Sequence, residues 1–218
     1  KALENTEWHQ YYNEVTCHAG GYANGDPGNS AAANALNQFQ SSMISGYPCI
    51  LVNFYGKPSS YGYQDVIKVL KNYIKKDGVD VGISLAVAGD AKYVYCAANV
   101  KSGAAKTYKV TAWLLESGIY SPNQAGATKD YHKIYDYALR NISGSYSKSN
   151  ISGESIGVLE AGKTHDCAFQ LNVVNTKWKY ENMGVLVIVS AKDAQGRWEV
   201  ANTAYCKLGE SKEYEYVE

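Results

Sequence analysis

No apolar run in this chain reaches the roughly 18–20 residues that a membrane-spanning helix needs, so none is predicted. Charge of one sign is not in excess. The 21 Lys and Arg balance 21 Asp and Glu, so no basic field draws the chain to nucleic acid or to an anionic bilayer surface. There is no Cys-x-x-Cys, no GxSxG, no HExxH, no P-loop and no GxGxxG, which removes the readable signatures of redox, hydrolase, metalloprotease and nucleotide chemistry. The five cysteines (Cys17, Cys49, Cys96, Cys167, Cys206) are an odd number, so a fully paired disulfide framework is excluded. Each lies in an apolar, strand-like run, and buried free thiols are expected, with one disulfide as the alternative. The opening "KALENTEWHQYY" has neither a positive n-region nor an apolar h-region. It lacks Met and reads as the inside of a helix, so the chain is expected to be a fragment or a mature form.

What is present is tyrosine, at 20 residues against 3 Phe and 4 Pro. Tyrosine suits strands and half-wet surfaces, where one end of the ring meets water. A chain of 218 residues, 45% hydrophobic, can bury a core as one large domain or two small ones.

The pattern changes near residue 77. Before it, Leu3, Trp8, Tyr11 and Tyr12 share a helical face, and "EVTCHAGG" (14–21) reads as a short strand. "YANGDPGN" is a breaker-rich loop. Ser30 caps a helix through Met43, "CILVNFY" (49–55) reads as a buried strand, and "YQDVIKVLKNYIKK" (63–76) is an amphipathic helix ending at Gly78. After it, 79–89, 91–101 and 106–116 read as strands of an antiparallel meander, and 164–174, 184–192 and 197–208 as three strands that close the chain. "GVLVIV" is apolar on both faces, as a central strand should be. In 197–208, Trp198, Val200, Ala204, Cys206 and Leu208 are expected on one face, with Asn202 breaking it. A long polar insertion occupies about 118–155, and the tail 210–218 is expected to fray. The expected fold is α+β: an α/β piece (1–77) followed by an antiparallel β-sandwich (78–218).

Pro48 opens the predicted strand 49–55, and proline cannot donate to a sheet ladder. A proline there is a candidate cis peptide, Tyr47–Pro48. "GYPCILVNFYG" resembles the thioredoxin-like segment in which a cis-proline precedes a central strand. Three patches in order, "VTCHAGG…SGYPCILVN" (15–53), "TAWLLESGIYSPNQAG…DYHKIYDYALRNISG" with "GESIGVLEAGK" (111–163), and "GVLVIVSAKDAQGRWEVANTAYCKLG" (184–209), resemble the Omp28 family of outer-membrane (lipo)proteins of Gram-negative anaerobes. The resemblance implies a thioredoxin-like domain followed by a β-sandwich. It also implies export to the outer membrane or cell surface, an N-terminal lipid anchor absent from this chain, and a role as adhesin or receptor. The first thioredoxin strand and its Cys pair are missing here, so the resemblance carries no redox centre.

Two constellations stand out. Cys17, His18 and Cys49 lack the paired spacing of a zinc site, and strand alternation would separate Cys17 from His18, so no metal and no cofactor is expected. Cys17 is expected in the core. The thioredoxin-like resemblance would place His18, Tyr47 and Pro48 around a residual ligand site. "DYHKIYDYALRN" concentrates Tyr131, His132, Tyr135, Tyr137 and Arg140, either as an aromatic platform for a sugar or protein or as a connection whose tyrosines plug the sandwich edge. The sequons at Asn141 and Asn150 are taken as chance.

The expected function is an exported binding or adhesion protein without catalysis, meeting a protein or glycan partner at the cell surface. Two alternatives are an envelope thiol–disulfide protein whose Cys pair lies upstream, and a carbohydrate-binding surface protein.

Overall fold

A computed structural model describes residues 6–75, 78–124, 126–144 and 151–215. Two antiparallel sheets face each other. Their strands, in chain order, are β1 (Val81–Gly89), β2 (Tyr93–Ser102), β3 (Lys106–Glu116), β4 (Ile119–Tyr120), β5 (Ile134–Tyr135), β6 (Ala138–Ile142), β7 (Glu154–Leu159), β8 (Thr164–Asn172), β9 (Met183–Lys192), β10 (Trp198–Lys207) and β11 (Ser211–Lys212). The four-stranded sheet runs β11-β1-β2-β8. The five-stranded sheet runs β10-β9-β3-β6, with β7 also on β3, and β4 and β5 form a separate small hairpin. The helices α1 (Ala31–Phe39) and α2 (Tyr63–Leu70) both precede the strands. The architecture is α+β with antiparallel sheets.

Period-2 alternation builds the sandwich core. Ile83, Leu85 and Val87 of β1 and Val94, Cys96 and Val100 of β2 meet Val110, Ala112 and Leu114 of β3 and Val185, Val187 and Val189 of β9. The other face of the five-stranded sheet is buried too. Trp113, Leu115, Leu139, Leu186 and Ile188 pack there against Ala32, Ala33 and Leu36 of α1, with Ala19 and Phe54. Burial on both faces is why β9 is apolar from Met183 to Val189.

Ser30 starts α1 from an extended backbone. Its Oγ accepts from the Ala33 amide (3.0 Å) and donates to the Leu139 carbonyl (2.5 Å), so one side chain caps the helix and docks it on β6. The helix stops at Phe39, short of the expected Met43, and α2 stops at Leu70, short of residue 76.

Several expectations are corrected. Residues 14–21 and 49–55 are not strands. Thr16 makes one parallel bridge to Ala138 and His18 one to Asn29. In 49–55, Val52 and Gly56 exchange two 2.7 Å hydrogen bonds around a turn with Asn53 at φ 50° and Phe54 at φ 65°. Tertiary contacts decide this. Asn53 Oδ1 accepts from the Val200 amide (2.6 Å) and its Nδ2 donates to the Val200 carbonyl (3.3 Å), while Phe54 fills the second core. The expected insertion contains β4, β5, β6 and the start of β7. In β10 a bulge between Val200 and Asn202 switches faces, so Val200 packs in the second core while Ala204, Cys206 and Leu208 pack in the first. The tail through Glu215 is not frayed: β11 pairs with β1, and Tyr214 bonds Asn99. Cys17 is exposed. Cys96 and Cys206 are buried, and all five thiols are free.

Candidate functional site: a tyrosine hairpin over a buried ion pair

The crossover from β3 to β6 is a folded unit. In the β4–β5 hairpin Ile119 opposes Tyr135 and Tyr120 opposes Ile134, and the Ser121 amide extends the ladder to the Lys133 carbonyl (2.8 Å). Alternation then sorts the side chains. Ile119 and Tyr135 turn inward onto Ala138 and are buried, while Tyr120 points out.

Beneath the hairpin lies a polar cluster assembled from distant sequence. Arg140 and Glu116 are 2% and 4% exposed, and Arg140 Nε donates to Glu116 Oε2 at 2.7 Å. Arg140 Nη1 donates to the Pro27 carbonyl (2.9 Å) and the Asn29 carbonyl (3.3 Å), and the guanidinium sits 4.7 Å from the Trp178 ring centroid. Glu116 Oε1 accepts from the Lys179 amide (3.0 Å). One ion pair therefore joins β3, β6, the 26–29 loop and the segment before β9. Burial pulls the Arg140 pKa down and Glu116 opposes it; an arginine so paired stays a cation.

His18 and Asp26 complete the cluster. The His18 ring stacks on Tyr135 at 3.8 Å between centroids, and its Nδ1 is 3.4 Å from Asp26 Oδ1. The Tyr135 hydroxyl lies between Asp26 Oδ2 (3.0 Å) and Gln124 Oε1. Asp26 Oδ1 also accepts from the Gly28 amide (2.7 Å). A Cβ at position 28 would fall 2.7 Å from the His18 ring, so the loop needs glycine there. His18 Nε2 is buried with no partner among the described residues. Burial lowers the His18 pKa, Arg140 lowers it further, and Asp26 pulls the other way. Burial likewise raises the Tyr135 pKa.

The outer surface differs. Tyr120 is 58% exposed and Tyr131 47% exposed. Tyr131 meets His132 edge-on at 4.3 Å, and Lys129 Nζ lies 5.6 Å from the Tyr131 ring.

The anticipated residues thus fall into separate places. His18, Tyr135 and Arg140, far apart in sequence, come together in the buried cluster. Tyr131 and His132 are on the surface, so they form no common platform with Tyr135. Tyr137, at φ 54°, packs edge-on against Tyr205. Tyr47 and Pro48 lie elsewhere, and their peptide is cis. The Tyr47 hydroxyl donates to Asn37 Oδ1 (2.8 Å) beside a shallow groove of about 290 Å³ lined also by Ser41, Ile44 and Ser45. Sequence reasoning missed Asp26, Glu116, Trp178 and Tyr120. Glu116 alone left a sign, as a charge closing the apolar run "TAWLLE". Among the described residues no group of acidic, His and Cys side chains could hold a metal, and no helix is long and apolar enough to cross a membrane.

An antiparallel sandwich with a helical layer on one face and a clamped surface hairpin defines the class of fold. The sequence pattern of outer membrane protein Omp28 matches residues 36–212, and the chain belongs to that family of outer-membrane, cell-surface proteins. HBP35 of Porphyromonas gingivalis has a similar fold (TM-score 0.63, 16% identity), over 81% of this chain and 57% of that one. The chain thus spans little more than half of HBP35, and the likeness is one of fold. A β-glucosidase from Kluyveromyces marxianus matches at a TM-score of 0.30 and 11% identity, over 62% of this chain and 15% of the enzyme, which carries no argument. No curated protein matches.

Proposed function

We propose that this is a non-catalytic binding or adhesion protein of the cell surface, and that the outer face of the 119–137 hairpin is its contact surface. The observation that carries the reading is the pairing of exposed Tyr120 and Tyr131 with a base locked by the Arg140–Glu116 pair. Exposed aromatic rings offer large contact area with few rotamers, and a rigid support lowers the ordering cost of binding. Lys129 and His132 supply polar contacts beside the rings. The partner is a protein or glycan on another surface. A lipid anchor upstream of this chain belongs to the same reading. So does a thioredoxin-like ancestry for residues 1–77, which rests on the sequence resemblance. The residues after Pro48 form a turn, and no redox role is assigned to them.

The test is adherence of beads coated with the full chain to epithelial monolayers, with cells pretreated by periodate or by protease to separate glycan from protein partners. The double variant Tyr120→Ser/Tyr131→Ser should keep its melting temperature, since exposed substitutions cost within about 0.5 kcal/mol each. It should lose most adherence. Full adherence by a folded double variant removes the hairpin from the reading, and no adherence by the wild type removes adhesion itself.

A further inference from the structure

Sheet edges are templates for pairing with another chain, and folded proteins usually guard them. This sandwich guards several of its edges. At the β10 edge Asn53 caps Val200, its amide satisfying both backbone groups, and a bulge follows between Val200 and Asn202. Thr16 closes β6, with its amide on the Tyr137 carbonyl and its carbonyl on the Leu139 amide. β11 and the turn before it close β1, through Val87 with Glu210 and Gly209. β7 is short, and its pairing with β3 is bulged beside Gly157, at φ 78°.

β8 carries none of these devices. It pairs with β2 over its full length, Tyr93↔Asn172 to Lys101↔Thr164, without a register shift. Its sequence THDCAFQLN has no Lys, Pro or Gly. The Val173 amide bonds the Lys92 carbonyl and the Ser102 amide bonds the Lys163 carbonyl, so odd-numbered residues of β8 direct their backbone groups at β2. Thr164, Asp166, Ala168 and Gln170 therefore direct theirs away, where no described strand lies. The edge ends at Asn172, whose carbonyl accepts from Asn141 Nδ2 (2.9 Å).

We propose that β8 pairs antiparallel with β8 of a second copy, about a two-fold axis at Cys167, joining two four-stranded sheets into one of eight strands. Self-complementarity selects this occupant. With Cys167 on the axis, the outward-directed residues pair as Thr164 with Gln170 and Asp166 with Ala168, each twice, giving about eight backbone hydrogen bonds. The whole open stretch is used. Asp166, the one carboxylate of the strand, meets alanine rather than its own copy. On the inward face His165 lies opposite Phe169, and Cys167 opposite Cys167 as a non-hydrogen-bonded pair with Cα atoms ~4.5 Å apart. Sliding the register to pair Asp166 with Asp166 would set like charges against each other.

Sedimentation velocity on the full chain across 1–200 µM is the first measurement, with a concentration-dependent dimer expected. Ala168→Pro is the specific perturbation. The Ala168 amide points off the sheet, so proline removes an intermolecular donor and none to β2. The variant should sediment as a monomer at every concentration. A second test needs no proline: mild diamide oxidation should trap a wild-type dimer through Cys167, and Cys167→Ser should lose it. A strictly monomeric wild type, or a dimer that survives Ala168→Pro and is not trapped through Cys167, overturns the proposal. A monomer that binds an added β-strand peptide at this edge gives the site to a foreign strand and overturns it equally.

Discussion

Replacing Arg140 by methionine keeps most of the side-chain volume and deletes the charge. Glu116, 4% exposed, is then left as a buried carboxylate whose remaining protein donor is the Lys179 amide. Breaking a buried ion pair by removing one partner costs about 3–5 kcal/mol, because the other charge stays desolvated. The Pro27 and Asn29 carbonyls lose their donor as well, which places the cost toward the upper end. For a chain of this size each kcal/mol moves the melting temperature by about 2–4 °C, so a fall of about 6–20 °C is expected. Lys106→Met is the internal control. Its partner Asp80 lies at 2.6 Å, but the pair is 44% and 53% exposed, and such surface pairs contribute about 0–1 kcal/mol.

Two further measurements bear on the same ion pair. Adding Glu116→Gln to Arg140→Met replaces the stranded carboxylate by a neutral amide, so the double variant should be more stable than Arg140→Met alone. Hydrogen exchange should show where the loss lies. The Ser121 amide, which reports the hairpin, should exchange faster at once, while the central β9 amides change only with global stability. Urea titration of Arg140→Met, Glu116→Gln and the double variant measures the first point. A fall of less than about 1 kcal/mol in Arg140→Met, or strict additivity in the double variant, would mean that the pair does not clamp the hairpin.

His18 gives a pH dependence with a definite sign. Its folded pKa lies below the ordinary 6.5, so the unfolded chain binds the proton more readily. Stability is therefore full above about pH 6.5, falls as the pH drops toward the folded pKa, and levels off below it. The groups facing the ring are Asp26, Arg140 and Tyr135, with Glu116 behind Arg140. Thermal unfolding from pH 7.5 to 5 should show the slope, and His18→Gln should flatten it; an unchanged slope assigns it to other groups. Asn53→Ala removes two hydrogen bonds to Val200 and places alanine at φ 50°. A loss of about 1–3 kcal/mol is expected, with earlier exchange of the β10 amides. A neutral result would show that Asn53 does not seal that edge.

Much of the sandwich was legible because its strands are long and regular. β1, β2, β3, β8, β9 and β10 lie where the alternation and the turn residues placed them. The N-terminal third was not, and Asn53 shows why. "CILVNFY" has the composition of a strand, but its residues serve one at a time: Asn53 as an edge cap and Phe54 as a core plug. No local pattern encodes a partner 147 residues away. β6 and β7 were hidden for a different reason. They are short, and β6 (ALRNI) carries a buried Arg where alternation expects an apolar side chain. In the site, the density of "DYHKIYDYALRN" marked the right segment but not its two faces. Tyr131 and Tyr135 are alike in sequence, but Tyr131 sits exposed in the 3-10 turn Asp130–Lys133, while the ladder turns Tyr135 inward onto His18.

The buried polar cluster has the shape of a specificity device more than of a stability device. An apolar core beneath the hairpin would be as stable or more so, since buried ion pairs often contribute less than well-packed hydrophobic replacements. A hydrophobic contact would also tolerate sliding. The Arg140 fork tolerates little, because it must reach Glu116 Oε2 and the Pro27 and Asn29 carbonyls together. His18 between Asp26 and Tyr135 adds a second fixed point on the same loop. With both in place the hairpin has one register, and Tyr120 and Tyr131 are presented at the surface in one arrangement. Arg140→Met/Glu116→Met therefore separates the two roles. It should restore much of the stability lost by Arg140→Met. In the bead assay it should still weaken adherence, because the apolar base holds the tyrosines less exactingly.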